Sequence, residues 1–449
     1  MAGLVGPEKA RRVAGAALGI PGVDGVEVLF VHEWGGLTRF ADSSIHQSTW
    51  REDTGIRVRV VSKSRVGIAA TNEFTEKGAR GAAESAKEMA EVASPDPEFP
   101  GLAPPASAKQ KDAFDEPTAQ ASPERRAESI AGLVGQCGDG FHAAGAYETT
   151  AAEVALANTE DQFCYAPYTQ ASVTTVVSGG DGGAGFAEVF AGKADDIDFE
   201  ATGSRAAAKA RDSQAPKDLE PGRYEVVLEP AAVSTLTGFL SYMGFGGRML
   251  FEGRSCFSGK EGETVGAASV SMYDDALDPR TLGLPFDFEG TPRQRVDLIE
   301  DGVFVGGVYD RRSAKQADVQ STGHALPPPN PEGPFPLNVC MAPGDSSADE
   351  MIAATERGLL VTRFHYSNVV HPVESTITGM TRDGTFLIED GEVKHPVTNL
   401  RFTQSAIEAL KAVSMVGCDS ELASEFFSSA SRVPALKIDA FGFTGRSDH

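Results

Sequence analysis

The sequence predicts an α+β protein. An N-terminal antiparallel sheet flanked by helices precedes a β-rich, barrel-like C-terminal domain around a central helix. A chain of 449 residues is long enough for two domains. Its first half mixes helical periodicity with β-rich segments, whereas its second half is a series of short β segments around one apolar strand and helix at 224–247. The stretch DSQAPKDLEPG at 212–222 has the composition of a linker, so we expect domains at 1–214 and 215–449.

Periodicity and capping residues predict the elements of the first domain. Residues 7–18 have helix-like apolar spacing, and 25–31 alternate as the first strand of an antiparallel meander. Ser122-Pro123-Glu124 combines an N-cap residue with proline at the first helical position, so a helix begins there. The proline-rich segment 94–121 predicts a surface excursion, and the glycine-rich segment 178–185 predicts a flexible loop, since it lacks the Lys-Ser/Thr of a P-loop. The remaining predictions are helices at 75–93 and 199–211 and strands at 147–163 and 170–177.

In the second domain, 224–247 reads as an apolar strand, a Glu-Pro turn and a helix of small and apolar residues. The Asp-Gly corner in 381–384 predicts a hairpin turn, because β-branched and aromatic residues flank it. Short helices are expected at 404–413 and 420–430, and a final strand at 433–441.

Charge and cysteine usage limit the function classes. The chain has 64 acidic and 40 basic residues, a formal net charge of −24. A protein with this negative charge repels the phosphate backbone of nucleic acids, so we expect no nucleic-acid partner. No apolar run approaches the roughly 20 residues of a membrane span, so we expect no membrane association. The five cysteines make no CxxC pair and no leader is recognisable, which predicts a reduced, cytoplasmic protein.

Two histidine patterns are candidates for metal binding. His32-Glu33 begins like a metalloprotease helix signature but ends a strand-like run without a second histidine. His365 and His371 share one face if their strand is uninterrupted, with Glu374 as a third ligand. A kink between them destroys that site, and side chains on a half-exposed strand are the alternative.

One cysteine is a candidate nucleophile. The sequence has no GxSxG elbow, the commonest serine-hydrolase signal. Cys256 lies among glycine and arginine residues that favour a thiolate. The alternative is a small buried hydrophobic residue, the usual environment of a free cysteine.

Acidic clusters offer a third kind of site. Asp274-Asp275 and the pair Asp287 and Glu289 are candidates for holding a metal or a substrate amine, the second pair more so because Arg293 follows. Alternation places Asp287 and Glu289 on one face of an extended segment. The alternative is a turn with surface ion pairs.

Several blocks of the second half resemble one family in the same order. They are PGRYEVVLEPAAV, FEGRSCFSGKEGETV, DDALDPRTLGLPFDFEGTPRQRVDLIEDGVF, STGHA, and the long block from GDSSADEMIAATERG to NLRFTQS. Together these blocks resemble the TldD/PmbA family, also known as modulators of DNA gyrase, over most of 222–441, and the first half is similar more loosely. The resemblance implies a two-branch system in which TldD-like and TldE-like subunits pair as a heterodimeric zinc metallopeptidase acting on small or unfolded peptides.

The resemblance also implies which branch this chain follows. The TldD-like branch carries His-Glu-x-x-x-His on the helix after the VVL-x-P strand, and a later cysteine. Laid on this chain without gaps, that motif begins at Gly238-Phe239 and ends at Met243, so its histidines and glutamate are missing. Cys418 has the Val-Gly-x-Asp surroundings of the TldE-like branch. We therefore expect no catalytic residue and no cofactor in this chain, with zinc in the partner subunit.

These features support three hypotheses. The first is a non-catalytic TldE-like subunit that completes the peptide cleft of a TldD-like partner, with Phe239, Tyr242 and Met243 lining the cleft or packing in the core. The second is an independent hydrolase that uses Cys256 or the His365 region. The third is a regulatory binding protein of the gyrase-modulator type.

Overall fold

Two sheets, one in each half of the chain, organise the computed structural model, which describes residues 3–424 and 430–446. The strands of the first sheet end at Ala191 and those of the second begin at Arg223. The domain boundary at 214/215 stays a prediction.

All four longer helices of the N-terminal half lie on one face of a six-stranded antiparallel sheet of order β3-β2-β1-β4-β5-β6. Helices α1 and α2 pack on β1 and β2, and α4 and α5 pack on β4 to β6. The opposite face carries Leu29 and Val154, which contact Phe286 of the C-terminal half. The elements are α1 (Pro7–Leu18), β1 (Gly25–Ala41), β2 (Ser44–Ser62), β3 (Arg65–Thr71), α2 (Glu76–Val92), α3 (Glu116–Ala119), α4 (Pro123–Val134), β4 (Phe141–Asn158), β5 (Phe163–Gly179), β6 (Gly183–Ala191) and α5 (Phe199–Asp212), with a 3-10 turn at Ala194–Asp196.

The predicted N-cap of α4 is confirmed. The Ser122 side chain accepts a hydrogen bond from the Arg125 N–H at the start of α4. The predicted flexible loop at 178–185 is wrong, because β5 continues to Gly179 and β6 begins at Gly183. The positive φ angles of Gly180 and Gly182 allow a tight hairpin turn instead.

Five strands of the C-terminal half close into a barrel, in the order β7-β12-β13-β15-β17 and back to β7. Helix α6 packs its apolar side chains into the core that these strands enclose, so the predicted barrel-like domain around a central helix is confirmed. The elements are β7 (Arg223–Leu228), α6 (Pro230–Gly244), α7 (Gly247–Phe251), β8 (Met272–Asp274), β9 (Val296–Glu300), β10 (Val303–Phe304), α8 (Arg311–Ala317), β11 (Val339–Met341), α9 (Ala348–Ala353), β12 (Arg357–His371), β13 (Thr376–Glu389), β14 (Glu392–Pro396), β15 (Leu400–Ser405), α10 (Ala406–Lys411), β16 (Val413–Ala423) and β17 (Ser431–Arg446).

Two local predictions in this half are wrong. Residues 381–384 are not a hairpin corner but an irregularity inside β13, where Asp383 and Gly384 have positive φ angles. The same backbone conformation that suits a turn also suits a bulge. The helix expected at 420–430 is a strand as far as Ala423, since β16 pairs with β17, and 425–429 lie outside the described residues.

The excursion at 94–121 connects the two halves. The Lys111 ammonium donates to three carbonyl oxygens of the C-terminal half, those of Ala276 at 2.6 Å, Asp278 at 3.1 Å and Thr281 at 2.9 Å. Arg312 pairs with Asp96 at 2.8 Å. The excursion is therefore anchored on the second domain.

Candidate functional site

The helix at the predicted site, α6, is a core element. Its entry is built by Glu229 as N-cap residue and Pro230 in the first turn, where a missing N–H costs nothing. Buried residues occur on every turn of α6, which is the pattern of a helix enclosed by the rest of a domain.

The structure separates the three predicted cleft residues of α6. Phe239 and Met243 lie in the hydrophobic core with 2% and 0% of their surface exposed, as the packing alternative describes. Tyr242 is 44% exposed. Of the three residues, Tyr242 is therefore the one whose side chain reaches the surface.

The positions equivalent to the metallopeptidase motif do not fit zinc. Gly238 and Phe239 are buried and carry no donor atom, and the Met243 thioether is in the apolar core. The nearby hydroxyl of Ser241 donates to the Thr237 carbonyl at 2.8 Å. Zinc sites in proteins use imidazole, thiolate or carboxylate ligands, none of which these residues provide.

The end of α6 is tightly packed against Cys256 and Phe257. A Cβ placed on Gly244 meets two ring carbons of Phe257 at 2.6 Å and the Cys256 sulfur at 3.2 Å. Burial raises the pKa of the Cys256 thiol to about 12. The thiol is therefore protonated at neutral pH, and Cys256 fits the buried-hydrophobe alternative.

The strand that carries His365 and His371 is interrupted between them. The β12–β13 register shifts after His365 and again after Val369, and Tyr366 has a φ of +48°. Over the ranges 3–424 and 430–446, no three His, Cys, Asp or Glu side chains are grouped so as to hold a metal ion. The kink that was expected to destroy this candidate site is present.

Arg293 belongs to a buried network around Asp274. Its guanidinium donates to Asp274 Oδ1 at 2.8 Å, and His324 Nε2 lies 2.9 Å from the same oxygen. The Asn338 N–H donates to the other carboxylate oxygen at 2.7 Å. Burial opposes ionisation, but Arg293 and His324 hold the pKa of Asp274 far below its usual range. Burial lowers the pKa of His324, and Arg293 lowers it further.

Asp287 organises a buried turn rather than a surface one. Its carboxylate accepts backbone N–H bonds from Glu289 at 3.0 Å, Thr291 at 2.8 Å and Ala325 at 2.9 Å. Burial, with the neighbouring Glu289 charge, raises the pKa of Asp287 to about 7. The alternative of a surface turn is wrong for Asp287, because this residue is only 1% exposed.

Glu289 joins an ionic cluster at the junction of the two halves. Arg59 of β2 lies 3.6 Å from Glu289 and 3.2 Å from Glu27 of β1. Burial raises the pKa of Glu27 to about 7 although Arg59 lowers it. Burial also raises the pKa of Glu289, and the positive charges of Arg59 and Arg311 oppose this effect at both Glu27 and Glu289.

An open cleft of about 720 Å³ lies beside this cluster. Its apolar lining comes from Leu29, Val31 and Val154 on the helix-free face of the N-terminal sheet, and from Phe288 and Pro327 of the C-terminal half. Charged side chains at its rim are Glu33, Arg51, Asp53 and Arg57. The cleft therefore combines an apolar part with a polar and charged part of similar extent.

The sequence reasoning missed His324, Glu27 and this cleft. His324 stood in the block STGHA, but its partner Asp274 lies 50 residues away in the chain. Glu27 belongs to the strand segment GVEVLFV, in which alternation places it on the other face of the sheet from the neighbouring valines. That polar residue in an otherwise apolar strand was the available signal for a buried carboxylate.

Comparison with known proteins places this architecture in a family. Three domain profiles match in chain order: PmbA/TldA metallopeptidase domain 1 at residues 26–90, the central domain at 72–214, and the C-terminal domain at 221–445. The C-terminal profile alone covers half of the chain. This chain belongs to the TldD/PmbA family.

Individual members show the same similarity. A metalloprotease TldD homologue of Haemophilus influenzae is 32% identical over 171 residues, which are 37% of this chain and 35% of that protein. The crystal structure of TldE from Thermococcus kodakarensis has a TM-score of 0.88 at 22% identity and covers 98% of this chain and 99% of its own. A putative modulator of a DNA gyrase from Thermotoga maritima has a TM-score of 0.87 at 19% identity, with coverage of 97% and 99%.

The sequence matches to curated family members are partial. The chain spans about a third to about half of the length of the curated relatives it matches. The two solved structures show the shared fold. No helix in the described part of the chain combines the length and apolar character needed to cross a membrane.

Proposed function

We propose that this chain is a non-catalytic, TldE-like subunit that completes the peptide cleft of a zinc-bearing TldD-like metallopeptidase. The observation that carries the proposal is helix α6, where the positions that the family resemblance assigns to the metal ligands and the base hold Gly238, Phe239 and Met243. Zinc hydrolysis needs about three protein ligands and a group that moves the proton of the bound water. In this assembly those groups belong to the partner.

The remaining parts of the proposal concern location and substrate. All five cysteines are free thiols and four are buried, which suits a reducing compartment such as the cytoplasm. The substrate is a small or unfolded peptide, because a cleft shared between two subunits accepts an extended chain more readily than a folded one. Tyr242 at the surface end of α6 is a candidate contact with that peptide.

The decisive experiment compares three samples for bound zinc and for cleavage of an unstructured peptide. They are this chain alone, a TldD-like chain with an intact His-Glu-x-x-x-His alone, and the two mixed. We expect zinc only where the TldD-like chain is present, and full cleavage only in the mixture. Stoichiometric zinc and cleavage in the isolated chain would instead establish the independent hydrolase.

A matched pair of variants tests the contact at Tyr242. Tyr242→Ala should lower cleavage by the mixture, whereas Met89→Ala should leave it unchanged. Met89 is also a large exposed apolar residue, 50% exposed, but lies on α2 of the N-terminal domain.

The second candidate, a gyrase-modulating binding protein, is favoured by the similarity to the Thermotoga maritima structure. The net charge of −24 suits a basic protein surface rather than DNA. Recovery of gyrase without a metallopeptidase subunit, when the tagged chain is purified from its own cells, would support this candidate over the first.

A further inference from the structure

Glu27 of β1 is a buried carboxylate that accepts no hydrogen bond from the described residues. The residue is 1% exposed, and neither of its carboxylate oxygens has a hydrogen-bond partner there. Its ion-pair partner is Arg59 of β2, whose Nη1 lies 3.2 Å from Glu27 Oε1. An ionised carboxylate in such a place loses its hydrogen bonds to water and regains few of them. Burial therefore favours the protonated form of Glu27.

Glu289 competes with Glu27 for the same positive charge. Arg59 Nη1 lies 3.6 Å from Glu289 Oε1, and the other carboxylate oxygen of Glu289 accepts the Arg311 N–H at 3.2 Å. Two carboxylates at one guanidinium nitrogen repel each other when both are ionised, and one proton on either of them removes the repulsion. Glu27, Arg59 and Glu289, which we call the clamp, are therefore most stable together with one bound proton.

The surrounding charges add to the negative excess. Asp287 and Asp310 act on Arg59 in addition to the two glutamates. When all these groups are ionised, four carboxylates face two guanidinium groups, those of Arg59 and Arg311. Two negative charges then stay uncompensated at a junction that is largely closed to solvent. Uptake of a proton reduces this excess.

Arg311 and Cys164 do not correct the imbalance. The Arg311 guanidinium donates to the carbonyl oxygens of Pro100 at 3.4 Å and Leu102 at 3.1 Å, so it is bonded to the excursion. Its Nε has no hydrogen-bond partner in the described part of the chain. The charge of Asp287 also acts on Cys164 of β5, but burial raises the pKa of this thiol to about 12, so it stays neutral.

The clamp lies at one end of the interdomain cleft. Glu27 is two residues before Leu29 on β1, so both side chains are on the helix-free face of the sheet. Phe288 stands directly before Glu289, and Leu29 and Phe288 line the cleft from its two sides. A separation of Glu289 from Glu27 therefore moves one wall of the cleft away from the other.

We propose that the clamp is a proton-controlled device that sets the width of the cleft. One proton shared by Glu27 and Glu289 holds the C-terminal half against β1 and β2, and its loss separates the two walls at this end. The bonds of Lys111 to the C-terminal half contain no titrating carboxyl group, so the halves stay joined there. The clamp works within this chain, so the inference goes beyond the proposed function and its test needs no partner.

The direction of the effect follows from the carboxyl groups. Burial raises the pKa of Glu27 from 4.5 to about 7, and an open clamp returns Glu27 to water and toward its ordinary value. Between these values the closed clamp holds a proton that the open clamp has released, so opening becomes about tenfold more favourable for each pH unit. Above about pH 7 both forms are ionised, and the dependence levels off.

Amide hydrogen exchange of the full-length chain measures this opening. Exchange rates from about pH 5.5 to about pH 7.5 are divided by the intrinsic rate at each pH, which leaves the opening equilibrium. The reporters are the N–H groups of Glu289, Thr291 and Arg311, which donate to carboxylates of the junction. Their protection should fall about tenfold per pH unit up to about pH 7 and then stay level. The ladder between β13 and β15 in the barrel should keep its protection.

Three variants test whether the clamp causes the pH dependence. Glu27→Gln mimics the protonated form at every pH, so the reporters should stay protected throughout. Glu289→Gln removes the other carboxylate and should also flatten the profile, which gives a second measurement if one variant does not fold. Glu33→Gln is the matched control, because Glu33 is on the same strand and borders the same cleft but pairs with Arg51 at the surface. It should follow the unchanged chain.

A distance across the cleft tests the movement of its walls. Nitroxide labels are placed at Asp53→Cys and Pro327→Cys, which line the cleft from the two halves. The background is Cys418→Ser, because the other four cysteines are buried. Pulsed electron paramagnetic resonance should show a longer distance appearing as the pH rises toward about 7. The same labels in Glu27→Gln should show one distance at every pH.

Several results would overturn the inference. One is constant protection of the three reporters across the pH range, and another is an equal fall in the unchanged chain and in both clamp variants. An equal fall in the barrel ladder would also overturn it, because the whole chain would then be loosening. A label distance that stays constant while the reporters lose protection would show that the clamp does not set the width of the cleft.

Discussion

The imidazole of His324 lies 2.9 Å from the Asp274 carboxylate, and both side chains are completely buried. Arg293 donates to the same carboxylate oxygen, so one acidic group satisfies two basic side chains that come from different loops. This network joins β8 to the segments at 293 and 324, and it is a structural centre of the C-terminal domain.

Removing the charge of Asp274 should destabilise the protein severely. Asp274→Asn leaves the Arg293 guanidinium buried without its counter-charge, and breaking such a pair costs about 3–5 kcal/mol. Asp297→Asn is the control, because its ion pair with Arg295 is exposed and such pairs contribute ~0–1 kcal/mol. Denaturant unfolding measures both values. Equal decreases in the free energy of unfolding for the two variants would show that the buried network stabilises the protein no more than an exposed ion pair does.

The carboxyl group of Glu27 should give the protein a distinct pH dependence. Burial raises its pKa from 4.5 to about 7, so between these values the folded state holds a proton that the unfolded state has lost. The free energy of unfolding therefore falls as pH rises through this window. Glu27→Gln should remove that part of the slope. Unfolding curves of both proteins across the window, subtracted from each other, isolate the contribution, and parallel profiles would contradict it.

The glycine at the end of α6 should not tolerate a side chain. In Gly244→Ala the new Cβ would lie 2.6 Å from the Phe257 ring, and such overpacking costs about 1–3 kcal/mol. Gly81→Ala on α2 is the matched control, because a Cβ there meets no atom and alanine favours a helix interior by ~0.5–1 kcal/mol. Thermal melting should therefore shift in opposite directions for the two variants.

Lys111 should hold the excursion on the C-terminal domain. Lys111→Met keeps the apolar stem but leaves the carbonyls of Ala276 and Thr281 without their shared donor, at a cost of about 1–3 kcal/mol. Hydrogen exchange of the excursion should become faster in this variant. Lys109→Met, at an exposed position of the same segment, should leave the exchange unchanged.

Cysteine labelling should distinguish the buried thiols from the exposed one. Iodoacetamide at mildly alkaline pH should modify Cys418 in the native protein, because Cys418 is exposed while burial raises the pKa of Cys256 to about 12. In Cys418→Ser the native protein should resist labelling until denaturant is added. Rapid native labelling of Cys256 would support the independent hydrolase that its sequence environment suggested.

Local features of the fold were predictable from the sequence. The apolar spacing of α1 and the Ser122 cap of α4 involve residues within a few positions of each other. The local sequence is therefore sufficient to predict both features. The glycine-rich segment at 178–185 was misjudged because its flanking residues pair with each other across a turn. The secondary-structure propensity of single residues does not predict such pairing between strands.

The helix of the candidate site was predictable from the sequence, but the surroundings of the candidate residues were not. The helix α6 was predicted from its composition, and the burial of most of its residues follows from an apolar pattern on nearly all sides. Arg293 was grouped with its sequence neighbour Asp287, yet its guanidinium pairs with Asp274. Strand β3 ends at Thr71, so it pairs with only part of β2. The composition of β2 does not predict the length of a neighbouring strand.

The last strand in the chain order, β17, must be present before the barrel can close. It pairs with β7, β11, β15 and β16, so it contributes both to barrel closure and to the adjoining sheet. During synthesis the N-terminal sheet has all its strands once Ala191 has left the ribosome, whereas β7 pairs first with β12 and obtains its second neighbour, β17, only when the end of the barrel has been made. Until then α6 has no complete enclosure for its apolar surface. The nascent chain is therefore most exposed to chaperones and to aggregation while its N-terminal half is already folded.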